Sequence, residues 1–254
     1  MSLTLHPTAF VDPGARLGEG AVIGAFAVIE AGVESGPGLV VAPHGVILSG
    51  TKLGASNRVG SFAVLGGAPQ DRSYDGEPTV LEVGDGNTFR EHVTVHRGTK
   101  KGGGVTRVGS RNLLMVGVHV AHDCAIGSDL ELANQTLLAG HVVLGDGVVT
   151  GGGAGIAPFV RVGRRAFVAA GSMVESDVPP FVIAAGDRAR VRASNEVGLR
   201  RGGVAEPSRI ALSKAFRAIF RGGAPRAQAA AALVDHEDPF VRELASFVIE
   251  AARR

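Results

Sequence analysis

A period of six runs through most of this chain and limits its fold more than any other feature. Aliphatic residues stand at Val11, Leu17, Ile23 and Ile29, lapse at Ser35, and resume at Val41, Ile47, Leu53, Val59 and Leu65. The register breaks across residues 71–82 and returns at Val83, Phe89 and Val95. It breaks again across 101–107, then runs from Val108 through Leu114, Val120, Ile126, Leu132, Leu138 and Leu144 to Ile156, Val162, Val168 and Val174, with Thr150 polar. Six fits neither the 3.6 of a helix nor the alternation of an amphipathic strand. It fits a solenoid of short strands joined by tight turns, each stacked on its equivalent one coil away, with the aliphatic residue facing the axis.

Composition agrees. Glycine fills 38 of 254 positions, Trp is absent and Tyr occurs once, which favours a turn-rich repeat over an aromatic core. Small residues, Gly and Asn are expected at the corners, where left-handed backbone is needed. The pattern resembles the hexapeptide-repeat left-handed parallel β-helix, which spends three hexads on each triangular coil. The expected fold class is therefore mainly β: residues 1–183 as a left-handed β-helix with two inserted loops, about 71–82 and 101–107. After Pro179-Pro180 the period disappears. Residues 188–192 read as a basic linker, 208–221 have near-helical apolar spacing, 225–233 are Ala-rich, and Asp238-Pro239 is a helix-start signal. Residues 184–254 are expected to form an α-helical C-terminal domain that caps the open last coil.

The single cysteine, Cys124, excludes an internal disulfide. The first residues lack a basic-then-apolar secretory pattern, and no run of about 18 apolar residues occurs. The expectation is a cytoplasmic protein with no integral membrane association. Net charge is +2, but residues 187–254 hold 13 Lys/Arg against 8 Asp/Glu. That basic surface is either a solvated helix face or a dock for an acidic partner. Nucleic acid is not expected, because no aromatic stacking platform accompanies it and the total charge is near neutral.

Chemistry concentrates in residues 120–141. His122 and His141 are nineteen positions apart, and three hexads make eighteen. They should share one edge of the prism on adjacent coils, about 4.8 Å apart along the stack. His119 is close by, so three of the eight histidines should gather at one corner. Asp123 follows His122, and an imidazole beside a carboxylate is a general-base arrangement. Gly140 precedes His141 and offers an N–H to a developing oxyanion. The competing chemistry is zinc held by three imidazoles, as in hexapeptide carbonic anhydrases.

The segments GGAPQDRSYDGEPT, REHVTVHRGTKKGGGVTRVGSRNLLM, HVAHDC and LANQTLLAGHV resemble the UDP-N-acetylglucosamine O-acyltransferases that start lipid A synthesis, over nearly the whole chain. That resemblance implies His122 as general base, Asp123 as its orienting carboxylate and Gly140 N–H as oxyanion donor. It implies substrate contacts from His119, His141, Gln70, Asp71, Asn195 and Arg201, and an acyl-length determinant at Ala170. It also implies acyl carrier protein as donor, a UDP-sugar acceptor, a homotrimer with sites between subunits, no metal, and no cofactor beyond the phosphopantetheine the donor brings. Arg188, Arg190, Arg192, Arg200, Arg217 and Arg221 are the expected donor dock. The chain departs from the family pattern at Ala157-Pro158, where a His-Gln pair is expected, at Ser73 for lysine, and at Val197 for glutamate. These departures bear on acceptor binding and favour one alternative, a paralogous transferase for a 3-amino or other nucleotide sugar; a zinc enzyme and a non-catalytic trimeric scaffold are the other readings left open.

Overall fold

In the computed structural model, which describes residues 3–253, the hexads form a left-handed parallel β-helix followed by four helices. Three sheets of 11, 9 and 7 strands, parallel but for one terminal hairpin, make the faces of the prism. The first face contains Val22–Ile23, the second Val28–Ile29 and the third Glu34–Ser35. Val22 pairs with Val40, Val28 with Val46 and Glu34 with Lys52, so one coil is eighteen residues. A two-residue strand has no stability of its own; each is held by the coils above and below it.

From the second coil on, the aliphatic position of the hexads is buried, as at Ile23, Ile29, Val41, Ile47, Leu114, Val120 and Leu138, while Val11 and Leu17 at the open first coil are partly buried. The lapse at Thr150 is satisfied inside the core, where its hydroxyl lies 2.7 Å from that of Thr136. Asn57, Asn87 and Asn112 form an internal ladder, with the Asn57 Oδ1 accepting from the Asn87 side-chain amide at 3.0 Å and the Asn87 Oδ1 from the Asn112 N–H at 2.9 Å.

The corners differ from expectation. Left-handed positions are held not only by glycine but by Phe26 (φ 56°), Phe62 (φ 60°), Asp123 (φ 61°), His141 (φ 63°) and Phe159 (φ 65°). Left-handed backbone costs an L-residue on the order of 1–2 kcal/mol. Ring stacking between coils offsets this: Phe26, His44, Phe62 and His92 stack at 5.1, 4.9 and 5.3 Å along the corner joining the first and second faces.

Leu53 pairs with Val83, thirty positions on, and Val83 with Val108, twenty-five on. Twelve and seven residues are therefore extra. The loops run between Val64–Gly67 and Val80–Val83, and between Thr94–His96 and Val105–Val108, so both begin earlier than 71 and 101. A lost register shows how many residues are extra but not where the strand resumes. Both loops leave from one corner, that between the second and third faces.

The last coil is two residues short: Val162 bridges Val178 and Val168 pairs with Ala184. This is why the period fades after Val174. The expected boundary after 183 falls inside a strand, Val182–Ala185, and the expected basic linker is its antiparallel partner, Arg190–Ser194. Helices then follow: α1 (Glu196–Arg201), α2 (Glu206–Arg221), α3 (Arg226–Ala231) and α4 (Pro239–Ala251). Asp238 caps α4, accepting from the Phe240 N–H at 2.9 Å. Arginines fasten this bundle to the prism. Arg164 bonds Glu243 at 2.8 Å and lies 4.9 Å from the Phe240 ring centre, while Arg161 bonds Glu250 at 3.1 Å. No helix among the described residues is long and apolar enough to cross a membrane.

Candidate active site

The corner between the second and third faces collects the polar chemistry. His119–Val120 is on the second face and Ala125–Ile126 on the third, with His122 and Asp123 turning between them. One coil on, His141 turns between Leu137–Leu138 and Val143–Leu144. The nineteen-residue spacing does bring the two imidazoles together: their rings meet edge to face, 5.4 Å between centres, and the His141 N–H donates to the His122 carbonyl at 3.0 Å.

His122 Nδ1 lies 2.8 Å from Asp123 Oδ2. A carboxylate accepts, so Nδ1 is the donor, and in the neutral ring the lone pair is then on Nε2. Asp123 is held from every side. Oδ1 accepts the Thr99 N–H and Oδ2 the Thr99 hydroxyl, both at 2.7 Å, and the Asp123 N–H donates to Thr106 Oγ1 at 2.8 Å. His141 Nε2 is 3.5 Å from Asp123 Oδ2. The far face of the His141 ring stacks on Phe159 at 4.4 Å.

Above His122 is Gly140. A Cβ there would come 2.7 Å from His122 Cε1 and 2.9 Å from Nε2, so only glycine fits against the imidazole. Its amide N–H has no acceptor among the described residues. A cavity of about 610 Å³ opens here. Gln70, His119, His122 and Gly140 line one end, and Leu137, Gly155 and Met173 carry it along the second face.

His119 departs from expectation: it stands on the strand before the corner, not on it. Its Nδ1 bonds Thr94 Oγ1 at 2.8 Å, and its ring meets His96 at 5.2 Å. Burial, with the neighbouring His96 charge, pushes its pKa below the ordinary histidine value. Three imidazoles therefore do not converge. The group with metal-ligand proximity is His122, Asp123 and His141, and Asp123 Oδ2 in it already accepts two hydrogen bonds. The three-imidazole arrangement of the competing zinc reading is not formed among the described residues.

Asp71 is tied to its own loop. Hydrogen bonds from Ser73 hold its carboxyl below the usual range, with His122 and Lys101 adding smaller attractions. Ser73, where the family pattern has lysine, thus serves the loop turn. Cys124, beside the dyad, is buried, and burial pushes its thiol up to about 12.

Residues 177–254 match the family described as Udp N-acetylglucosamine O-acyltransferase, domain 2. A protein of Herminiimonas arsenicoxydans named acyl-[acyl-carrier-protein]–UDP-N-acetylglucosamine O-acyltransferase is 41% identical over 259 residues, covering 100% of this chain and 98% of its own. A protein of the same name from Janthinobacterium sp. is 43% identical over 100% of this chain and 98% of its own. The chain belongs to the UDP-N-acetylglucosamine O-acyltransferase family. Solved structures agree. LpxA from Acinetobacter baumannii superposes with a TM-score of 0.93 at 35% identity, covering 97% of each chain. The Campylobacter jejuni acyltransferase gives 0.93 at 38%, covering 97% of this chain and 96% of its own.

The remaining residues expected from this acyltransferase family lie elsewhere in the single chain. Asn195 and Arg201 line a second cavity of about 670 Å³, whose wall includes Glu131, Val149, Phe167 and Ile183 of the first face. Asn195 is also structural. Its side chain accepts the Gly198 N–H at 3.1 Å, capping α1, and donates to the Arg165 carbonyl at 2.9 Å. Ala170 is exposed at the corner between the first and second faces, packed over Gly151, and does not line the cavity beside His122; Met173 and Gly155 do. Sequence reasoning missed Thr99, His96 and Phe159. The signal for Thr99 was the second break in register, which becomes informative only once both breaks fall on the corner that carries His122.

Proposed function

We propose that this chain transfers a 3-hydroxyacyl group from acyl carrier protein to the 3-hydroxyl of UDP-N-acetylglucosamine, the step that begins lipid A synthesis, with His122 as general base. The observation that carries this reading is the His122–Asp123 pair. Its Nδ1 is committed to the carboxylate, and its Nε2 is open beside a glycine amide at the mouth of an apolar trough. Nε2 takes the proton of the sugar hydroxyl as that oxygen attacks the thioester carbonyl. The Gly140 N–H donates to the oxyanion of the tetrahedral intermediate, worth about 3–4 kcal/mol for such a donor in a dry site. Collapse breaks the carbon–sulfur bond, and the imidazolium returns its proton to the departing phosphopantetheine thiolate. No resident cofactor enters this scheme.

Asp123 keeps the productive tautomer and stabilises the imidazolium. Leu137, Gly155 and Met173 offer the acyl chain an apolar path. The exposed arginines 188, 190, 192, 200, 217 and 221 suit the acidic donor protein. A nucleotide held by Arg201 would lie on the first face, away from His122, which favours a homotrimer in which neighbouring copies complete each site. The test is mass spectrometry of products from mixed acyl-carrier-protein chain lengths with UDP-N-acetylglucosamine, and with its 3-amino analogue as contrast. Acylation at oxygen supports the reading. Acylation of the amine alone would move the acceptor to the paralogous class, and no transfer to either would overturn it.

A further inference from the structure

The second inserted loop does more than decorate the coil. It departs from the corner one coil below His122, and Thr99 is 2% exposed beneath it. The Asp123 side chain is only 1% exposed and receives both Thr99 donors at 2.7 Å. The hydroxyl has no freedom in this. Its oxygen accepts the Gly102 N–H at 3.1 Å, where Thr99 caps the short 3₁₀ turn Lys100–Gly102, so its own proton is directed at Asp123 Oδ2. The loop reaches this position because residue 102 is glycine: a Cβ there would lie 2.1 Å from Asp123 Cγ. Oδ2 therefore holds two donors at once, Thr99 Oγ1 and His122 Nδ1.

We infer that Thr99 is a positioning residue for the acyl transfer, acting through Asp123. Its two hydrogen bonds fix the carboxylate plane so that Oδ2 meets the His122 Nδ1–H, and its loop keeps water off that contact. The inference rests on His122 being the base. Outer partners of this kind orient a catalytic group by holding the group that holds it, and their loss typically costs about 10- to 100-fold. A sequence break that looked like an insertion is thus part of the catalytic assembly.

The full-length protein tests it with Thr99→Val, Thr99→Ser and Gly102→Ala. Thr99→Val keeps the shape but loses both bonds of the hydroxyl, the one given to Asp123 and the one accepted from the Gly102 N–H; kcat should fall about 10- to 100-fold with KM for the sugar nucleotide within about 3-fold. Thr99→Ser restores the hydroxyl and should recover most of the wild-type kcat. Gly102→Ala should lower kcat by displacing the loop. A readout independent of turnover is the downfield proton resonance of His122 Nδ1–H, assigned by its loss in His122→Ala. It should shift or broaden into solvent exchange in Thr99→Val and persist in Thr99→Ser. Wild-type kcat and an unmoved resonance in Thr99→Val would overturn the inference, as would equal losses in the Val and Ser variants. A wild-type protein that transfers no acyl group would sink the proposed function and with it the role of Thr99 in transfer; resonance changes in that protein would then show only that Thr99 orders the His122–Asp123 contact.

Discussion

Two corners of the same prism do opposite things with the same backbone. The corner between the first and second faces stacks Phe26, His44, Phe62 and His92 in near-parallel register, with no insertion and half-exposed phenylalanines. The corner between the second and third faces takes both inserted loops and exchanges the ring ladder for His122, Asp123 and His141. Among the described residues the His141–Phe159 pair is the parallel stack at that corner. Left-handed corner geometry is common to both. The first corner uses it to pile rings that tie coils together; the second uses it to project polar groups from adjacent coils into one place. A solenoid thus turns regular spacing into stability and departures from spacing into chemistry.

The comparison breaks first at His122. His122→Ala should lower kcat by about 10²- to 10⁴-fold, the range for loss of a general base, in steady-state transfer assays on protein of unchanged circular dichroism. Gly140→Ala comes next. Its methyl would lie 2.7 Å from His122 Cε1, so a kcat loss of about 10²-fold is expected from displacement of ring or oxyanion donor. The opposite corner should respond in stability instead. Phe62→Ala removes one ring between His44 and His92 and should destabilise by about 1 kcal/mol in denaturant unfolding, with kcat unchanged.

The smallest effect concerns pH. His119 is held below the ordinary histidine value, so folding prefers its neutral form. Its contribution to stability is complete above the unfolded value of about 6.5 and is lost as pH falls toward the folded one. Thermal melts should therefore show a decline below pH about 6.5 that is reduced in His119→Gln.

Legibility in the sequence followed the same division. Inward residues, the eighteen-residue coil and the His122–His141 adjacency could be read because each depends only on count. The corner rings could not. A small residue satisfies left-handed backbone alone, and only the stacked neighbour eighteen positions away makes Phe62 acceptable. Thr99 was hidden for a related reason: its partner is twenty-four positions on, a distance set by the seven extra residues rather than by the coil. The hairpin through Ser194 was missed because the last coil drops two residues, and a period cannot be followed through its own shortening. Asn195 and Arg201 could be named from family resemblance but not joined to His122, since within one chain they belong to another face.

The most direct measurement is a double-mutant cycle on kcat with His122→Ala, Asp123→Asn and the two combined. If the corner builds one unit, the double variant should be about as slow as His122→Ala alone, because a carboxylate that works by orienting an imidazole has nothing left to orient. If Asp123→Asn slows the His122→Ala protein by the full factor it costs the wild type, the two residues act separately, and the site is not the dyad described.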